Sequence, residues 1–155
     1  MKKIISVVVC SAIYCSVFCQ LSCDPALWPH VYKPERLTGD KKCTTIKGMV
    51  REVKELPDGS YRLLIKLDPG QPTTLLNDKN IALAKGCVVV EIVCAHRPIS
   101  DPDALKTCGT YESKIKVPAL NDHVQVTGSY VLDTTPEHGW YALYPVSDVT
   151  ELQKR

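Results

Sequence analysis

The chain has 155 residues, 45% of them hydrophobic, with 19 lysines and arginines against 17 aspartates and glutamates. That length holds one domain around a single core and excludes two. The near-balance of charge lacks the basic excess of proteins that grip nucleic acid through its phosphates, and 11 prolines among short apolar runs point to strands more than helices.

Lys2 and Lys3 precede an apolar run from Ile4 to Cys19 that is short for a membrane span, the layout of a secretory signal peptide. The expected cut follows Cys19, with Val17 and Cys19 as the small residues of the cleavage site; a cut near Cys23 is the alternative. A lipoprotein anchor fits less well, because Phe18 precedes Cys19 and no leucine stands three residues before Cys23. Cleavage removes Lys2 and Lys3, so 19 basic residues become 17 against 17 acidic ones. The expectation is a near-neutral protein, periplasmic or secreted, with no membrane span after cleavage.

Residues 20–42 are proline-rich and aperiodic, which predicts an extended arm pinned by Trp28 and Tyr32, ahead of a domain over 43–150. In "TTIKGMVREVKEL", Ile46, Gly48 and Val50 share one parity and Val53 takes the other; a slip beside a glycine predicts a bulged, bent strand. "PDGS" at 57–60 is a turn: proline presets its backbone angle and glycine takes the positive one. The second strand alternates Tyr61, Leu63, Ile65 and Leu67 against Arg62, Leu64, Lys66 and Asp68. "CVVVEIVCA" is apolar on both parities apart from Glu91, which predicts a central strand. Ser100, with Pro102 and Asp103 after it, predicts the start of the one short helix. Two or three strands follow, over "SKIKVP", "HVQVTGSYVLD" and "GWYALYPV".

In an exported chain the cysteines are expected as disulfides rather than metal ligands. Cys94 with Cys108 is the best pair, and closing a loop of that size contributes roughly 3 kcal/mol in the chain-entropy model. Cys43 and Cys87 could form a second bridge, with Cys23 then left over. Cys94, His96 and Cys108 lack the paired short spacings of a zinc site, so no metal or cofactor is expected.

The predicted class is all-β, and the order of bent strand, strand, strand, short helix, strand, strand is that of a single five-stranded OB-like Greek-key barrel with its helix between strands three and four. The ordered blocks "YKPERL", "PDGSYRLLIKLDPG", "VVVEIVC", "VTGSYVLD" and "HGW...YPV" resemble a group of small exported bacterial and archaeal proteins of OB-like fold, over residues 31–149 and including Cys43, Cys94 and Cys108. In that group the last block reads closer to HGW-x-E-I-H-P; here Ala142 replaces the glutamate and Tyr144 the second histidine. The resemblance thus implies a poor catalyst if those two residues are chemical in the group.

OB-folds hold ligands on the outer face of strands two and three, between the loops joining strands one to two and four to five. That places a cleft between 57–60 and 134–140, with Arg62, Lys66, Glu91, His138 and Trp140 as its candidate residues. The plainer reading is that Gly139 makes a turn, Trp140 starts the last strand and packs into the barrel end, and His138 is exposed. Glu91 falls on the outer face if Val90 and Ile92 point in, where it would pair with Arg62 or Lys66 as a surface pair of small value. With Tyr61 pointing inward, that face offers no aromatic platform, so nucleic acid is not the favoured partner.

Two enzyme readings can be drawn. "PDGSYRLLIKLD" resembles the start of thermonuclease-like OB enzymes, which would cast Asp58, Asp68 and Arg62 as acids and arginine, but Ser60 replaces a second acid and Asp58 suits the turn. Ser129, Asp133 and His138 could be written as a triad, yet all come from one hairpin and no nucleophile elbow surrounds Ser129. The sequence therefore predicts an exported, non-catalytic OB-fold binding or interaction module for a protein, glycan or small molecule. Its alternatives are a single-stranded nucleic-acid-binding protein and a metal-dependent thermonuclease-like hydrolase.

Overall fold

The computed structural model describes residues 22–98 and 101–153. The expected signal peptide, residues 1–19, lies outside them. Five strands form one sheet: β1 (Leu37–Glu55), β2 (Tyr61–Leu67), β3 (Val88–Ile92), β4 (His123–Asp133) and β5 (Tyr141–Glu151). Their order is β1-β2-β3-β5-β4, and β4 pairs back onto β1, so the sheet closes on itself. All neighbours are antiparallel except β3 and β5.

Closure depends on the bend in β1. Its pairing with β2 slips between Val50 and Glu52, at the parity change visible in the sequence. Gly48 lies where β1 presses on β2: a Cβ there would run into the Lys66 carbonyl, so only glycine allows the approach. The inward parity of every strand then meets in one apolar cluster that includes Ile46, Leu63, Val90, Val126 and Leu143.

The outward parity of β2, β3 and β5 is covered too. Leu27 and Val31 of the amino-terminal segment pack with Leu64, Val89, Val93 and Tyr144 in a second buried cluster. The segment is less extended than expected, with 3-10 turns at Pro25–His30 and Pro34–Arg36, and the first strand begins at Leu37 rather than near Cys43. A disulfide from Cys23 to Cys43 ties it down, and Asp24 N–H donates to Ser147 Oγ on β5. Cys94 and Cys108 form the expected disulfide; Cys87 is free and buried, so the Cys43 to Cys87 alternative does not occur.

Three further expectations need correction. The helix after β3, α2 (Pro102–Cys108), is capped by Asp101, whose carboxylate accepts from the amides of Asp103 and Ala104; Ser100 lies outside the described residues. A second helix, α1 (Asp78–Leu83), precedes β3, opened by a reciprocal capping box between Asn77 and Asn80. "SKIKVP" is not a strand: both edges of β1 are already taken by β2 and β4, and Ile115 and Val117 instead pack half-buried against the inner core. No helix among the described residues is long and apolar enough to cross a membrane.

Candidate functional site

Glu91 shows how the outer face becomes chemical. Parity sends it outward as expected, but the amino-terminal segment covers that face and leaves it 1% exposed. A carboxylate so placed must be paired. Arg62, directly opposite on β2, donates from Nε to Glu91 Oε1 at 2.8 Å. Arg36, at the end of the second 3-10 turn, brings Nη2 within 3.5 Å of Oε2, a charge contact without hydrogen-bond geometry, and Oε2 has no hydrogen-bond partner. Burial pushes the Glu91 carboxyl up, against the pull of the two guanidiniums.

The loop between β4 and β5 builds the other half. Asp133, the last residue of β4, accepts from Thr135 N–H and Oγ1–H on one oxygen, and from Arg36 Nη1 and His138 Nδ1 on the other, at 2.6–3.0 Å. Burial opposes its charge, but His138, Thr135 and Arg36 outweigh it and hold the carboxyl down at about 2. Since His138 Nδ1–H donates to Asp133, its Nε2 is left to face Arg62 Nη1 at 3.4 Å. The imidazole stacks on Trp140 at 4.2 Å between centroids, and Arg62 lies 5.1 Å over the same indole.

The loop is fixed from outside by α1. Asn77 donates from Nδ2 to the Gly139 carbonyl, and buried Asn80 donates to the carbonyls of Cys87 and Tyr141 while accepting from the Tyr141 amide. Gly139 itself adopts a positive φ of 68°, which turns the chain into Trp140.

Four of the five expected residues, Arg62, Glu91, His138 and Trp140, are therefore together. Lys66 is not among them: four residues further along β2, roughly 13 Å away, its Nζ donates to the Gly86 carbonyl. The Glu91 pair is buried rather than a surface pair, and Trp140 packs on the outer face, not inside the sheet's end. His138 is only 17% exposed. Arg36, Asp133 as a carboxylate hub, and Tyr144 complete the cluster. Arg36 sits 5.4 Å over the Tyr144 ring, whose hydroxyl is buried without a hydrogen-bond partner and pushed up by burial and by Glu91. Arg36 lay in the aperiodic arm, inside the block "YKPERL", with no local pattern to single it out from its neighbours.

A cavity of about 330 Å³ opens beside this cluster, with Arg36 and Arg62 in its wall, Pro57 and Asp58 from the β1–β2 turn, and Thr135 from the β4–β5 loop. Both loops expected at a cleft contribute to its wall, the second through Thr135; of the five candidate residues, Arg62 lines it, and Lys66, Glu91, His138 and Trp140 do not. Tyr32 and Lys33, from the amino-terminal segment, also line it. A larger depression of about 550 Å³ lies along the Cys94–Cys108 bridge and shares no lining residue with the smaller one.

The enzyme geometries do not assemble. Asp58 accepts from Ser60 N–H within its turn, and Asp68 pairs with His123 at the other end of β2. Asp133 and His138 are bonded, but the remaining ring nitrogen of His138 faces Arg62, whereas Ser129 is buried in β4. Cys94 and Cys108, two of the three conceivable metal ligands, are consumed by their disulfide. Comparison with known proteins finds no matching family model, curated protein or solved structure.

Proposed function

We propose that the chain is an exported, non-catalytic binding module of OB-like Greek-key barrel fold whose ligand enters the cavity between residues 57–60 and the 134–140 loop. The observation that carries this is the buried ion network of Arg36, Arg62, Glu91, Asp133 and His138 standing in and behind the cavity wall. Apolar residues of similar volume would stabilise the fold as well or better, so such a network is the place to look for recognition. The strand order, the parallel β3–β5 pair and the helix between β3 and β4 support the fold reading. Two disulfides suit an oxidising compartment, as does the resemblance to small exported proteins. The covered outer face of β2 and β3 favours a compact ligand over a polymer lying along an open sheet.

The test is a thermal-shift panel of small acids, amines, sugars and single-stranded oligonucleotide on the oxidised protein, repeated on Leu56→Trp, which fills the cavity from its apolar wall. The expected result is a hit that raises Tm in the parent and not in Leu56→Trp. Hits indifferent to that change, or none at all, would remove the cleft. Salt-sensitive oligonucleotide binding would put nucleic acid in its place.

A further inference from the structure

Resting on that reading of the cleft, we infer that its ligand is a compact organic carboxylate, with the two acid oxygens held by Arg36 and Arg62 and an apolar body against Leu56, Pro57 and Tyr32. The donors come first. Arg62 uses Nε on Glu91 and Nη1 on His138; its Nη2 makes no hydrogen bond among the described residues. Arg36 uses Nη1 on Asp133, and its Nη2, in charge contact with Glu91, makes no hydrogen bond among the described residues. Both arginines line the same cavity. Two guanidiniums in one cavity wall, held by carboxylates that do not line it, suit a planar acceptor with two oxygens.

The carboxylates in the wall are partly engaged. Asp101 accepts from Asp103 N–H, Ala104 N–H and the Tyr32 hydroxyl, the last at 2.6 Å. One oxygen of Asp58 takes Ser60 N–H. An amine would find one oxygen of Asp58 free, whereas an acid would meet a third cation in Lys33, its Nζ 5.0 Å over the Tyr32 ring and in no salt bridge among the described residues. The rest of the wall is mainly carbon, and a volume of about 330 Å³ admits an acid of small-molecule size and not a folded partner.

The experiment is a pair of matched titrations into the oxidised full protein: benzoate against benzamide, and N-acetylleucine against its amide. Binding is followed through the arginine side-chain ¹H–¹⁵N signals. The expected result is that an acid binds at least about tenfold more tightly than its amide and moves the Arg36 and Arg62 signals. Arg62→Gln should abolish the difference, and the parent's arginine signals carry the test if that variant does not fold. Benzoate alone as the binder assigns a free small acid; N-acetylleucine alone assigns a chain-terminal carboxylate. Equal binding of acid and amide, abolished by Leu56→Trp, would overturn the carboxylate while leaving the cleft. No binding of either acid at 10 mM, a concentration of about the weakest useful affinity, would overturn the carboxylate too, with the wider panel left to judge the cleft.

Discussion

Replacing Glu91 by glutamine isolates the charge at the centre of the cluster. The amide oxygen can still accept from Arg62 Nε–H at the position of Oε1, now 2.8 Å away, so shape and one hydrogen bond survive while the charge is lost. Two guanidiniums with side chains only 17% and 16% exposed then share a site without their common counterion. Breaking a buried pair by removing one partner typically costs about 3–5 kcal/mol. Arg36 keeps Asp133, and both arginines retain some water, which puts Glu91→Gln at the lower end, about 3 kcal/mol, or a fall in Tm on the order of 10 °C. The assay is urea unfolding of the oxidised protein followed by tryptophan fluorescence, with an unchanged m-value as the check that only stability has moved. The double replacement Glu91→Leu with Arg62→Met should lie closer to the parent than Glu91→Leu alone, because it strands fewer charges. A Glu91→Gln cost below about 1 kcal/mol would equate the pair with a surface ion pair and refute the reasoning.

Asp133 gives a pH signature. Its folded value of about 2 lies below the ordinary 3.8, so its contribution is complete above about 4 and is lost as the pH falls through about 2. That difference corresponds to about 2 kcal/mol; Asp133→Asn should lose it at neutral pH and show a flatter decline than the parent between about pH 4 and 2, measured from urea midpoints. Asn80→Ala strands the Cys87 and Tyr141 carbonyls and the Tyr141 amide in a site with no exposure, at a cost of about 3 kcal/mol. Faster hydrogen exchange at Tyr141 should accompany it, and unchanged protection there would show that α1 does not hold the loop.

Much of the sheet could be read from residue order because period-two patterning and turn chemistry are local. Leu63 and Ile65 against Arg62, the slip after Val50, "PDGS" and the Cys94–Cys108 pair all carried their own signals. What covers a face is not local. Parity sent Glu91 outward but could not tell that Leu27 and Val31 would cover that side, turning an expected surface pair into a buried one. "SKIKVP" alternates like a strand, but alternation cannot show that the neighbouring edges are occupied. With six residues, α1 is too short for a helical period, though Asn77 and Asn80 at capping-box spacing were there to be seen. Arg36 was invisible for the same reason as the depth of Glu91: its meaning lies in partners far along the chain.

Those distances bear on when the cleft comes into being. Arg36 meets Asp133 across 97 residues, and Asp24 meets Ser147 across 123, so the segment that closes the cavity wall is made early and fastened late. A chain growing from its amino end holds Tyr32, Lys33 and Arg36 long before β4 and β5 exist to receive them. A nascent chain that ends before Asp133 lacks both the partner that holds Arg36 and the Thr135 part of the wall. The Cys23–Cys43 bridge spans only 20 residues, so the tie of that segment to β1 is local while its partners on β4 and β5 are distant.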